Sequence, residues 1–300
     1  MNGYSSHTLK LVNAEGKVSY VKWHFKTDQG IKNFTAEEAE KLAGSDPDWA
    51  TRDLFEAIKR KEFPSWTVCV QVMNEEQAKV ALNSSNGNLL QDVTKVWPHA
   101  QFPLQPIGRM VLNRNPENYF AEIEQVAFSP GHFIPGIEAS NDKMLQGRLF
   151  SYPDTHRHRL GPNYHQIPVN RPLKVFNQQR DGFMTVNGNG GSAPNYEPNS
   201  VGGNFGTTSD LKAAESKFEV YGLAGRHKVA LIDADFIQAG RLYEIQSPEA
   251  KTRMVGNLVG HLSNAKPHIR ARQLVHFKRA NQELGKRIEQ GIHSRTSNRL

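Results

Sequence analysis

One cysteine, Cys69, among 300 residues leaves no partner for an internal disulfide and excludes the small, disulfide-framed class of secreted domains. Its neighbours from Trp66 to Met73 read as a buried strand, which makes Cys69 a small core residue. No run of about eighteen apolar residues occurs, so no spanning helix is expected. Met1-Asn2-Gly3-Tyr4-Ser5 lacks the basic and apolar regions of a signal peptide. The expectation is therefore a chain without a membrane partner and without secretion, and the sequons at Asn33 and Asn83 are chance.

What is present is enough apolar material, 37% of residues, to bury a sizeable core in one large or two ordinary domains. The net charge of +7 is local: Lys251 to Leu300 holds eleven Lys or Arg against two Glu. Basicity confined to one segment reads as the solvated face of helices, with a polyanion-binding surface as the competing reading. The expectation taken forward is no nucleic-acid partner.

Residues 7 to 27 alternate apolar and polar positions around Asn13-Ala14-Glu15-Gly16, the pattern of a hairpin. Thr35-Ala36-Glu37-Glu38 is a capping box before a short helix, and Asp48 leads a second helix with Leu54, Ala57 and Ile58 on one stripe. Trp66 to Met73, Ile107 to Leu112 and Tyr119 to Phe128 read as strands. Mixed rather than strictly alternating elements predict an α+β fold. From Asn170 to Thr208 the chain is dense in Asn, Gly, Pro and Ser. The run Asn187-Gly188-Asn189-Gly190-Gly191 is no phosphate cradle, because Pro194 to Pro198 cannot supply the helix that must follow. Ser247-Pro248-Glu249 marks a helix start, and three amphipathic segments follow to Ile292.

Asp142 caps a predicted helix through Met144, Leu145, Arg148, Leu149 and Tyr152, with Pro153 expected to kink it just past the tyrosine. Arg148 and Tyr152 stand four apart, which puts a guanidinium over a phenol on one helix face. His156 continues that stripe if the helix persists. Spacing alone describes a surface pair far more readily than a metal site.

The longer string is more specific. Asp142 to Tyr164, including Arg148-Leu149-Phe150-Ser151-Tyr152-Pro153-Asp154-Thr155-His156-Arg157-His158-Arg159-Leu160-Gly161-Pro162-Asn163-Tyr164, resembles the haem-ligand signature of the catalases, in the small-subunit, monofunctional, tyrosine-ligated group. The similarity extends through Lys26 to Asn33, Leu112 to Pro116, Asn118 to Glu122, Ile167-Pro168-Val169-Asn170 and Ala193 to Tyr196. The resemblance implies a partial antiparallel β-barrel in residues 1–134, the proximal haem helix and a long wrapping arm in 135–240, and a C-terminal helical domain in 241–300. It implies haem b held by Tyr152 as phenolate, the tyrosine-ligated case of haem iron. A free phenol titrates near ~10; ferric iron and Arg148 would both favour the anion. His7 and Asp142 match the pair that backs the arginine, Arg159 the arginine that meets a haem propionate, and Phe128 and Met144 residues packing the proximal side.

The resemblance further implies an NADPH site at Asn2, Tyr4, His24, Lys26, Val96, Trp97 and His99, where a lysine and histidines suit phosphates and Trp97 meets a flat ring. Residues Ala81 to Val93 form a longer, less aromatic segment than the family pattern beside that site. Hydrogen peroxide is the implied substrate and a homotetramer the implied assembly. The family's distal histidine and asparagine match positions before Asn2. The chain thus reads as an N-terminally shortened form, expected to turn over peroxide poorly by itself and to leave the first hairpin with an unpaired edge. The alternative is a non-catalytic catalase-like protein that keeps the haem, NADPH or assembly surfaces. The tail Asn298-Arg299-Leu300 resembles a peroxisomal import tripeptide, so the expected location is peroxisomal or cytoplasmic.

Overall fold

A computed structural model describes residues 1–85, 87–173, 188, 191–194, 196, 199–201, 216–217, 222, 225–226 and 231–297. The Asn187–Gly191 run apart from Gly188 and Gly191, most of the arm between 174 and 230, and the tripeptide Asn298–Leu300 lie outside them.

The first strands are β1 (Gly3–Tyr4), β2 (Leu9–Val12) and β3 (Val18–Thr27). The β2–β3 hairpin closes as the Asn13 pattern predicts: its side-chain oxygen accepts from Glu15 N at 3.2 Å and Lys17 N at 2.8 Å. Gly16, at φ 78°, takes the left-handed position. Helices α1 (Ala36–Ser45) and α2 (Trp49–Lys59) follow, and the Thr35–Glu38 capping box is present. Next come β4 (Ser65–Met73), α3 (Glu75–Ala81) and β5 (Gln105–Val111). Helix α3, unread in the sequence because it is short, is started by a second capping box of Asn74 and Gln77.

Tyr119 to Phe128 is not a strand. Phe120–Glu124 forms a π-helical turn, because the Asn118 side chain accepts from Ala121 N and the Glu122 carboxylate reaches back to Glu117 N and Asn118 N. These local bonds outcompete a ladder that alternation alone suggested. The chain then enters β6 (Ile137–Ala139) and α4 (Lys143–Leu160). The sheet order is β5-β4-β3-β2-β6, with β1 continuing beside β3, and every pairing is antiparallel. The expected unpaired edge of the first hairpin is thus filled by β6, which pairs Ile137–Ala139 against Leu9–Leu11. The sheet stays open.

A 3-10 turn at Tyr164–Gln166 follows α4. The C-terminal elements are α5 (Ala234–Glu244), α6 (Pro248–Leu262), α7 (Pro267–Ala280) and α8 (Gln282–Ser297). Ser247 caps α6 as its sequence predicts. Two apolar cores result. One gathers Met73, Ala78, Ala81, Leu89, Leu90, Trp97 and Phe102 between α3 and one face of the sheet. The other gathers Tyr243, Val259, Leu284, Ile288 and Ile292 among α5 to α8. Lys95 joins them: its buried ammonium donates to Ala234 O at 3.0 Å and Asp235 Oδ1 at 3.2 Å. Beside it, the Gln238 side-chain amide pairs with both backbone groups of Val96 at 2.9 Å.

Candidate functional site

The edge formed by β1 and β2 is interrupted where the site begins. Tyr4 stands opposite His24 and Leu9 opposite Val21, while Ser5 and Trp23 exchange a backbone bond at 3.0 Å. Ser6, His7 and Thr8 therefore stand opposite Lys22 alone, and Ser6 takes φ 59°. This bulge releases His7 from the alternation. Its Nδ1 donates to Asp142 Oδ2 at 2.5 Å with both side chains buried. The other oxygen of Asp142 caps α4, accepting from Met144 N at 2.8 Å and Leu145 N at 3.2 Å. One carboxylate thus fixes both the start of the helix and an imidazole from the sheet.

On α4, Met144, Arg148 and Tyr152 follow at intervals of four on one face. Arg148 Nη2 donates to the Tyr152 phenol oxygen at 2.7 Å, with the guanidinium 4.9 Å from the ring centroid. Both side chains are half-buried. Met144 is 58% exposed and Phe128 77% exposed, large apolar groups left uncovered on α4 and on the segment that His156 holds. Pro153 does not end the helix, which carries on to Leu160 and keeps His156 on the stripe. His156 is buried, 6.0 Å centroid to centroid from Tyr152, and its Nε2 donates to Phe128 O at 2.8 Å.

Arg159 is exposed and partly engaged by backbone. Its two terminal nitrogens donate to Glu124 O and Val126 O, each at 2.7 Å.

The second predicted set also converges. Asn2 holds Thr27 N at 3.0 Å and donates to the Tyr4 hydroxyl at 3.2 Å. Lys26 lies 5.0 Å from the Tyr4 ring centroid. Tyr4 meets His24 edge-on at 5.4 Å, and His24 meets His99 at 6.1 Å. His24 pairs with Gln71 at 2.9 Å. Burial, its largest influence, pushes the ring below the usual imidazole range, and Lys26, His99 and Lys22 push the same way. The charge expected of this histidine toward a phosphate is therefore weakened. Trp97 is corrected more fully: its side chain is 1% exposed, sits in the first core and donates to Leu89 O at 2.7 Å. It has no face to offer a flat ligand. Val96 is 65% exposed, with its backbone taken by Gln238.

Sequence reading missed Gln71, which links His24 to the carbonyls of Trp97 and Phe102, and Asn170. An isolated polar residue in a strand or loop carries no periodic signal.

The donor set can be tested against a metal cofactor. Among the described residues no group of three or more His, Cys, Asp or Glu could cage a metal. A half-exposed phenol oxygen that accepts from a guanidinium suits a single hard bond to a trivalent ion whose other ligands come from a macrocycle. The uncovered side chains of Met144 and Phe128 suit the flat apolar body of that macrocycle. These residues fit a haem.

Comparison with known proteins agrees with this architecture. The family description "Catalase" matches residues 1–203, and "Catalase-related immune-responsive" matches residues 232–292. The chain is 55% identical to Catalase-A of Dictyostelium discoideum over 97% of its own length and 58% of that protein. It is 49% identical to a peroxisomal catalase of Toxoplasma gondii, again over 97% of this chain and 58% of the relative. A fungal catalase crystal structure superposes with a TM-score of 0.84 at 46% identity, covering 98% of this chain and 59% of that one. The chain thus spans about three-fifths of the length of the proteins it matches. The chain belongs to the catalase family.

Proposed function

We propose that this chain supplies the proximal half of a catalase haem site, in a protein that decomposes hydrogen peroxide to water and oxygen as part of an oxidative-stress response. The observation that carries the reading is the 2.7 Å bond from Arg148 to the Tyr152 phenol oxygen, on a helix whose cap is locked to His7. Haem b bound here supplies redox chemistry on peroxide. Tyr152 would hold the iron through its phenol oxygen, and Arg148, which donates to that oxygen, would orient it. His7 and Asp142 fix where the helix begins, and hence where Tyr152 stands. Met144 and Phe128 exclude water from the proximal face. Residues 1–134 furnish the barrel portion, 135–240 the haem helix and arm, and 241–300 the helical domain.

Asn2, Tyr4, His24, Lys26 and His99 form the surface we assign to NADPH, with Lys26 as phosphate partner. Homotetrameric assembly is supported by exposed large apolar side chains on and beside α1 and α2, including Phe34, Trp49 and Phe55. A peroxisomal address is supported by the Asn298–Leu300 tail and by the location in the name of the Toxoplasma relative. No helix among the described residues is long and apolar enough to cross a membrane.

Reconstitution with ferric haem tests the central assignment. The wild-type chain should show tyrosinate-ligated ferric haem by absorption and resonance Raman spectroscopy, and Tyr152→Phe should lose those bands; an unchanged mutant spectrum overturns the assignment. Oxygen release from peroxide by the 300 residues alone should run roughly 10²- to 10⁴-fold below a chain that also carries distal acid–base groups.

A further inference from the structure

The segment from Glu124 to Phe128 leaves the π-helical turn with the amides of Gln125 and Val126 still bonded to Phe120 O and Ile123 O, and with its carbonyls and the Ala127 amide held by side chains. Arg159 donates to Glu124 O and Val126 O at 2.7 Å. Asn170 donates from Nδ2 to Gln125 O at 2.8 Å and accepts Ala127 N on Oδ1 at 2.7 Å. His156 donates to Phe128 O at 2.8 Å. Five consecutive residues are thus held, and none of them pairs with a strand among the described residues.

The gripping side chains are themselves fixed. The carbonyl of Phe128 takes the Nε2 proton, so His156 Nδ1 is an acceptor, and Arg159 Nη2 stands 3.3 Å from it. The imidazole is buried, and the Tyr164 ring, fully buried, packs behind it at 5.7 Å. Asn170 is anchored in turn by donating to Tyr164 O at 3.2 Å. Phe128, at the end of the held segment, has its own ring uncovered. This backbone positioning ends at a large apolar side chain that is 77% exposed among the described residues.

We infer that His156, Arg159 and Asn170 act as a clip whose task is to seat Phe128 alongside α4, where its uncovered ring serves as the proximal wall for the macrocycle. They are positioning residues, acting through the 124–128 backbone. This inference rests on the haem assignment above. It also gives His156 and Arg159 a role other than direct contact with the cofactor. Two of its three members are carried by α4 itself: Tyr152, His156 and Arg159 occupy successive turns of one helix, so ligand and wall move as one body.

The test compares His156→Leu, His156→Gln and Tyr152→Phe in the full chain. Two readouts apply: hydrogen exchange at the amides of Gln125 to Ala127 without haem, and haem affinity with resonance Raman bands after reconstitution. His156→Leu should speed exchange at those amides and weaken haem binding roughly 10- to 100-fold, as loss of outer-shell support does elsewhere, while keeping shifted tyrosinate bands. His156→Gln, whose amide can donate to the same carbonyl, should recover both. Unchanged exchange at 125–127, or unchanged affinity and bands, in His156→Leu overturns the clip. Retained tyrosinate bands in Tyr152→Phe overturn the haem assignment instead, and the exchange result still decides the clip. If His156→Leu fails to fold by circular dichroism, Asn170→Ala carries the same comparison with Asn170→Asp, which keeps the acceptor for Ala127 N.

Discussion

At the scale of single residues, the most informative group outside α4 is Lys22. Its side chain is buried on β3, donates to Lys95 O at 2.7 Å and lies 5.6 Å from the Trp97 ring centroid. Burial lowers its ammonium from 10.5 to about 8, outweighing Asp142 and Asp92, which raise it. Between those two values the unfolded chain holds a proton that the folded chain has released, so stability contributed by this site rises with pH across that window. The gain is on the order of 3 kcal/mol. Denaturant unfolding at pH 7 and pH 10 should show Lys22→Met losing this rise relative to wild type; parallel profiles would refute it. The same scale shows what a sequence conceals. Arg148, Tyr152 and Asp142 were legible because helix spacing and capping are local rules. Trp97 was misjudged because nothing local distinguishes a ring facing a ligand from one facing a core.

At the scale of elements, strands and helices with strong local signals were readable: the Asn13 turn, the Thr35 box and the Ser247-Pro248 start all appear where their chemistry puts them. The failures have a common cause. Tyr119 to Phe128 alternates like a strand, but side-chain bonds from Asn118 and Glu122 coil its first half, and the clip holds its second. Strand β6 is three residues long and exists because β2 offers an edge, a reason found far away in sequence. Packing among the C-terminal helices yields a sharp expectation. A Cβ on Gly240 of α5 would fall 2.0 Å from Ala280 O at the end of α7, and backbone cannot step aside as a side chain can. Gly240→Ala should cost about 3 kcal/mol or more by overpacking, measured as a lowered thermal midpoint. Gly256→Ala, where nothing lies within 4 Å, should leave it unchanged or slightly raised.

At the scale of the whole molecule, the two apolar cores meet through polar groups. Lys95 and Gln238 provide four bonds across the joint, and such a seam couples two cores less tightly than shared apolar packing. Gln238→Ala should remove two of them, at about 0.5–1.5 kcal/mol each, and split thermal unfolding followed by circular dichroism and Trp97 fluorescence into separable transitions. Coincident transitions in the variant would show the cores to be joined more deeply. The fold class was legible from composition and element order, whereas this joint was not, because its partners lie about 140 positions apart. The net charge also takes its meaning here: Lys278, Arg279 and Arg287 are spent on Glu289, Asp233 and Glu283 within the helical part.

The bulge at Ser6 has a consequence for how this family member can vary. A strand keeps a two-beat phase, and three residues set against one reset that phase so that a single imidazole swings round to meet a helix mouth. Spacing between Tyr4 and Leu9 is consequently constrained more tightly than its composition: substitutions there leave the aim intact, whereas dropping or adding one position would turn His7 to the opposite side and strand the Asp142 carboxylate without its partner.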